Sequence, residues 1–190
     1  DFTERKMPGT NREFKSDIKR IRKHARQHVE AGAVTEGYKA DRSAVVDMLN
    51  SALATELVCA LRYKYHYFTA VGIHAQAAAE EFHEHAEQEQ QHADALEARI
   101  VQLGGDPDFS PEGLKKRSHS EYAVATELPE MIKENLIAER VAIDTYREML
   151  AFLGDDDPTT RRMLEHILAV EEEHADDLAG LLASDQGNRR

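Results

Sequence analysis

One cysteine, no tryptophan and five prolines in 190 residues already exclude several kinds of protein. Cys59 alone cannot close an intrachain disulfide, so no cystine framework holds this chain, and a reducing compartment is expected. No apolar run approaches the ~18 residues of a membrane span, and the N-terminal stretch has no secretory apolar region. A cytoplasmic protein without a membrane segment is therefore expected, from a sequence that begins at Asp1 and not at Met. No strand-like alternation competes with helical periodicity.

What is present is charge and helix. Apolar residues make up 41% and charged residues 32%, for a net charge of −12. That charge is uneven. Residues 1–30 carry nine Lys or Arg against five acids, whereas the remaining 160 residues carry 15 against 31. A basic head precedes an acidic body.

Along the chain, residues 1–11 read as a tail. Phe14, Ile18, Ile21, Ala25 and Val29 then mark an amphipathic helix over about 12–30. Four long helices follow, over about 41–71, 74–103, 129–153 and 159–182. Each has apolar residues at spacings of three and four, and glycine, proline or capping residues stand at its ends. Their short, long and short connections describe an all-α antiparallel four-helix bundle with one long crossover and an extra N-terminal helix. Ser110-Pro111-Glu112 starts a short helix within the crossover. The expected organisation is a basic tail and helix over 1–40, the bundle over 41–183 and a C-terminal tail over 184–190.

A repeat carries the chemistry. Glu89-Gln90-Gln91-His92-Ala93-Asp94-Ala95-Leu96 returns as Glu171-Glu172-Glu173-His174-Ala175-Asp176-Asp177-Leu178. Each copy contains Glu-x-x-His, which puts a carboxylate and an imidazole one turn apart on one helix face. Upstream of each copy is a helix with a single inward Glu, Glu56 or Glu139, and each of these has a tyrosine seven residues on, Tyr63 or Tyr146. A lone carboxylate in a core is costly unless paired or metal-bound. Four such carboxylates with two imidazoles can neutralise two divalent ions, so Glu56, Glu89, His92, Glu139, Glu171 and His174 are the candidate ligands. Glu80 and His83 have the same spacing but lie about half a turn off the Glu89 face, at ~100° per residue, and should face solvent. Glu172 and Glu173 point away as well. His85, four residues before Glu89, can approach the site, and Cys59 reads as a small core residue.

The stretch Leu49-Asn50-Ser51-Ala52-Leu53-Ala54-Thr55-Glu56-Leu57-Val58, with Tyr63 following, resembles the first helix of bacterioferritins. The helices around Glu89, Glu139 and Glu171 resemble their other three, over about residues 41–182. The resemblance implies that Glu89 and Glu171 bridge two iron ions, while Glu56 with His92 and Glu139 with His174 complete the coordination. It also implies that Tyr63 is an electron donor near the irons.

Two departures bear on the expectation. Bacterioferritins place a haem-ligating Met directly after the Glu of the first Glu-x-x-His; here that residue is Gln90, so no haem is expected there. A fifth helix like that of 24-subunit shells is not found after the fourth. The expectation therefore moves to the twelve-subunit homo-oligomeric cage of Dps-like proteins, some of which have a cysteine pair that Cys59 cannot supply.

The resulting expectation is a ferroxidase that oxidises Fe(II) with O2 or H2O2 and stores the Fe(III) mineral. A manganese catalase or a rubrerythrin-like peroxidase uses a similar ligand set, although no Cys-x-x-Cys pair exists for a rubredoxin iron. Residues 1–30 can contact DNA phosphates through Lys15, Lys19, Arg20, Arg22, Lys23 and Arg26, or pack on a neighbouring subunit.

Overall fold

The computed structural model describes residues 14–72 and 75–188, with side chains to residue 184. Among these residues there are six α-helices and no strand: α1 Ile18–His24, α2 Arg42–Thr69, α3 Ala75–Gln102, α4 Pro111–Arg117, α5 Leu128–Leu153 and α6 Pro158–Asn188. The expected tail over 1–11 lies outside the described residues, as do Arg12 and His74.

Helix ends follow local chemistry. Asp41 caps α2, its side chain accepting from the Ala44 amide at 3.2 Å, which supplies an acceptor for an otherwise orphan donor. α5 ends at Gly154, whose φ of +52° is a conformation that glycine adopts without steric cost. Asp157 precedes α6 and accepts from the Thr160 amide at 2.9 Å. Its carboxylate also receives the Arg99 guanidinium of α3 at 2.9 and 3.0 Å and the Tyr38 hydroxyl at 2.9 Å. One buried acid thus fastens the start of α6 to α3 and to the segment before α2.

α2 packs on α3 and α5 on α6, and only a few residues separate the two helices of each pair along the chain. One apolar cluster joins the N-terminal half of α2 (Val45, Leu49, Leu53) to the C-terminal halves of α3 (Leu96, Ile100) and α5 (Met149, Leu153), and to the start of α6 (Leu164, Ile167). A second joins Tyr63, Phe82, Met131, Ile132 and Leu178 at the other end. α3 finishes beside the first cluster and α5 begins in the second, so the connection between them must travel the length of the bundle. It is pinned to α2 along the way. The Asn50 side chain accepts from the Asp108 amide at 2.8 Å and donates to the Asp106 carbonyl at 3.1 Å, and the Thr55 hydroxyl accepts from the His119 amide at 3.0 Å. The fully buried Arg62 donates to the Asn135 side chain at 2.9 Å and the Glu121 carbonyl at 3.0 Å.

Three expectations change. The N-terminal helix is one short element, Ile18–His24, followed by a 3-10 turn at Val29–Ala31, and His28 between them has a φ of +49°. Its apolar residues Phe14, Ile18, Ile21 and Val29 remain exposed, and a helix without packing gains too little from propensity to lengthen. α6 runs to Asn188 and not to about 182, since neither glycine nor proline interrupts residues 183–186. α2 does contain an 18-residue window with a mean hydropathy of 1.5, apolar enough by length and composition to cross a membrane. Its apolar residues Val45, Leu49, Ala52, Leu53 and Val58 are core residues of the bundle, which accounts for the hydropathy.

Candidate metal centre

Between the two apolar clusters lies a layer of acid. Glu56, Glu89, Glu139 and Glu171 come from α2, α3, α5 and α6 and are each at most 1% exposed; His174 is as deeply buried and His92 nearly so. The flanking apolar residues that make these helices pack also force the acids inward, because each Glu occupies a core position of its helix.

The six side chains divide into two overlapping groups: Glu56, Glu89, His92 and Glu171, and Glu89, Glu139, Glu171 and His174. His92 Nδ1 is 3.0 Å from Glu171 Oε1, 3.3 Å from Glu56 Oε2 and 3.9 Å from Glu89 Oε2. His174 Nδ1 is 3.5 Å from Glu171 Oε2, 3.6 Å from Glu89 Oε1 and 3.8 Å from Glu139 Oε2. Glu89 and Glu171 each turn one oxygen toward each imidazole, while Glu56 serves only the His92 side and Glu139 only the His174 side. Glu80 and His83 are exposed, as are Glu172 and Glu173.

The donors fit a cation better than they fit one another. Glu89 Oε1, Glu139 Oε2, both Glu171 oxygens and His174 Nδ1 have no hydrogen-bond partner among the described residues. His174 Nε2 lies 2.6 Å from Gln88 Oε1, and an amide oxygen only accepts, so the ring donates there. In the neutral ring this turns the lone pair of Nδ1 to three carboxylates. A divalent ion satisfies such a set of acceptors.

Without a metal, protons take that place. Burial alone would lower the pKa of His92, but the facing carboxylates of Glu171, Glu56 and Glu89 outweigh it and raise the value to about 12. His174 is likewise raised to about 12 by Glu139, Glu171 and Glu89 against the effect of burial. Burial, and next the charge of Glu89, push Glu56 well above the ordinary carboxylate range.

Two tyrosines cross the layer. Tyr63 of α2 donates to Glu139 of α5, and Tyr146 of α5 donates to Glu56 of α2. Each phenol serves the glutamate of the opposite half, which reproduces the two-fold character of the repeat in space. Burial holds both phenols protonated, well above their ordinary pKa. Sequence reasoning singled out Tyr63 and noted the matching position of Tyr146 without a role for it. It missed Gln88, which adjoins Glu89 but whose contact with His174 on another helix has no local signal. Cys59 is buried, with its thiol pKa raised well above the ordinary value by burial, and its sulfur is 3.5 Å from the Arg62 guanidinium. Gln90 turns outward to Asp94, at 2.9 Å.

Fold and site together define a four-helix bundle with a carboxylate and imidazole layer at its centre. The Ferritin family model, a ferritin-like domain, matches residues 46–187, and the chain belongs to this family. It is 31% identical over 148 residues to the nutrient stress-induced DNA-binding protein of Synechococcus sp., a match covering 75% of this chain and 83% of that one. Its structure is similar to that of a dodecameric thioferritin, the bacterioferritin-related protein of Bacteroides fragilis. That similarity has a TM-score of 0.77 and 32% identity, and covers 80% of this chain and 91% of that one. The bacterioferritin of Rhodobacter capsulatus is similar with a TM-score of 0.67 and 25% identity, over 76% of this chain and 86% of that one.

Proposed function

We propose that the protein is a ferroxidase that takes two Fe(II) per subunit as substrate in the central layer and stores the oxidised iron in a homo-oligomeric cage. The division of Glu89 and Glu171 oxygens between the two imidazoles carries this reading, because it pairs two donor groups around shared carboxylates. In that reading Glu89 and Glu171 bridge, Glu56 with His92 hold one ion, and Glu139 with His174 hold the other. Each Fe(II) gives up one electron, so the pair reduces one H2O2, with two protons, to two waters. Carboxylates favour the Fe(III) product, while the imidazoles keep affinity for incoming Fe(II). Removing both electrons together avoids one-electron reduction of peroxide. Where only one Fe(II) is bound when peroxide arrives, the phenol of Tyr63, held on Glu139, is suited to supply the second electron together with its proton, leaving a tyrosyl radical. Loss of a peroxide-induced tyrosyl signal in Tyr63→Phe, read by electron paramagnetic resonance, is the expected outcome; an undiminished signal removes that role.

The test of the centre is anaerobic Fe(II) titration followed by peroxide. Saturation of the oxidation at two Fe(II) per subunit, lost in Glu89→Ala, is expected. A one-iron stoichiometry that survives Glu89→Ala would sink the reading. Metal analysis separates iron from manganese chemistry: stably held manganese without a mineral core points to a catalase or peroxidase. Assembly is proposed as twelve subunits, in line with the dodecamer named for the Bacteroides fragilis relative.

A second reading, DNA protection, has its own observation. Lys19, Arg20, Arg22, Lys23 and Arg26 are all exposed on and just after α1. Phosphate contacts from such a segment give salt-sensitive affinity. Gel shifts at low and moderate salt, with and without residues 1–30, test it; unchanged binding after truncation excludes the segment.

A further inference from the structure

Beside the central layer is a second group of metal-ligating side chains that the proposed centre does not use. His85 of α3 is buried, and its ring stacks on that of His174, with centroids 3.9 Å apart and planes at 23°. Tyr63 spends its hydroxyl proton on Glu139, so its oxygen accepts from His85 Nδ1 at 3.2 Å. That contact fixes the imidazole and aims Nε2 the other way. There it meets Glu81 Oε2 at 3.6 Å and Asp177 Oδ2 at 3.8 Å, both beyond hydrogen-bond length. The three donor atoms all lie within 4.8 Å of one another.

The group does not follow from the repeat. Moving by the 82 positions that separate Glu89 from Glu171, Glu81 corresponds to Met163, His85 to Ile167 and Asp177 to Ala95. The related corner of the bundle is therefore without a donor, and the polar corner is a feature of one end alone. A buried imidazole turned toward two carboxylates that it does not hydrogen-bond is poorly explained as packing, whereas a cation would draw all three inward. Ligand bonds to a divalent first-row ion are about 2.0–2.2 Å, so modest movement of the two partly exposed carboxylates closes the set. Their exposure also gives the corner access to solvent, which the buried layer behind it lacks.

We propose that Glu81, His85 and Asp177 form a third divalent-cation site, open to solvent and one imidazole ring away from the dinuclear centre. The site is tied to that centre through His174, on which His85 stacks, and through the chain from His85 to Tyr63 to Glu139. The inference rests on the dinuclear reading for its count of three but not for its ligands. The hard carboxylates with one imidazole suit Fe(II), Mn(II), Co(II) or Zn(II).

Co(II), which neither O2 nor the protein oxidises readily at such a site, is the probe. Titration calorimetry with native mass spectrometry should give three Co(II) per subunit in the full-length protein. Asp177→Asn and Glu81→Gln, at partly exposed positions that do not threaten the fold, should each retain two. Crystals soaked in Co(II) should show an anomalous peak about 2.1 Å from His85 Nε2, absent in Asp177→Asn. Two ions in the unmodified protein, or a third that persists in both variants, overturns the site and leaves the dinuclear centre standing. A single ion that is lost in Asp177→Asn keeps the third site and overturns the dinuclear reading instead.

Discussion

Gln88 has no charge and no place in a metal-binding motif, yet it decides which nitrogen of His174 faces the acids. Accepting at 2.6 Å, it holds the Nε2 proton and leaves Nδ1 to the centre. Partners of this kind orient a ligand and typically contribute 10–100-fold to metal affinity. Gln88→Ala is expected to weaken Co(II) binding by about that factor, with little change in the thermal midpoint of the metal-free protein. An unchanged affinity in calorimetry shows that the contact is incidental. The same titration reads the protons. With His92 and His174 raised to about 12, both rings are charged at neutral pH in the metal-free state. Metal must displace those protons, so binding should release them, and apparent affinity should rise with pH across the neutral range. Titrations in buffers of different ionisation enthalpy measure the release; uptake of protons, or none, contradicts it.

At the level of elements, α6 is held at its first turn as well as along its core face. Asp157 is 2% exposed and receives Arg99, Tyr38, Thr160 and a backbone amide. Removing one partner of a buried ion pair leaves the other unpaired, at a cost of about 3–5 kcal/mol. Asp157→Ala should destabilise by that much in urea unfolding, with Arg99 left in the core, and a loss below about 1 kcal/mol would mean that water replaces the carboxylate. The capping role was legible, since Gly154-Asp155-Asp156-Asp157-Pro158-Thr159 reads as a break and a cap. Which of the three aspartates performs it depends on where Arg99 arrives from α3. Helix α1 shows the opposite failure. Its apolar spacing is real, but nothing among the described residues covers it, and an amphipathic pattern gains its helix only from a partner surface.

For the whole molecule, the outer faces of α2, α3 and α5 still expose Leu61, Phe68, Val101, Ile137 and Phe152. Burial of such residues between subunits accords with assembly, and the acidic body would draw cations to any opening in a shell. Native mass spectrometry is expected to give twelve times the 21.4 kDa subunit mass, and electron microscopy after iron loading to show dense cores. A monomer that binds two ions and forms no core would remove storage from the proposed function, leaving the oxidation.

The sequence by itself determined the all-helical bundle and which six residues face its middle. Both are matters of period: an acid at a core position of a helix is turned inward whatever the helix packs on. It also separated the inward residues from Glu80 and His83 by half a turn. Tertiary structure alone decided everything that depends on which helix lies opposite which. It crosses Tyr63 to Glu139 and Tyr146 to Glu56, sets Gln88 behind His174, and gathers Glu81, His85 and Asp177 at one corner. Periodicity records the direction of a side chain about its own axis. It does not record what stands across the gap, and in this protein the contacts across that gap set the chemistry.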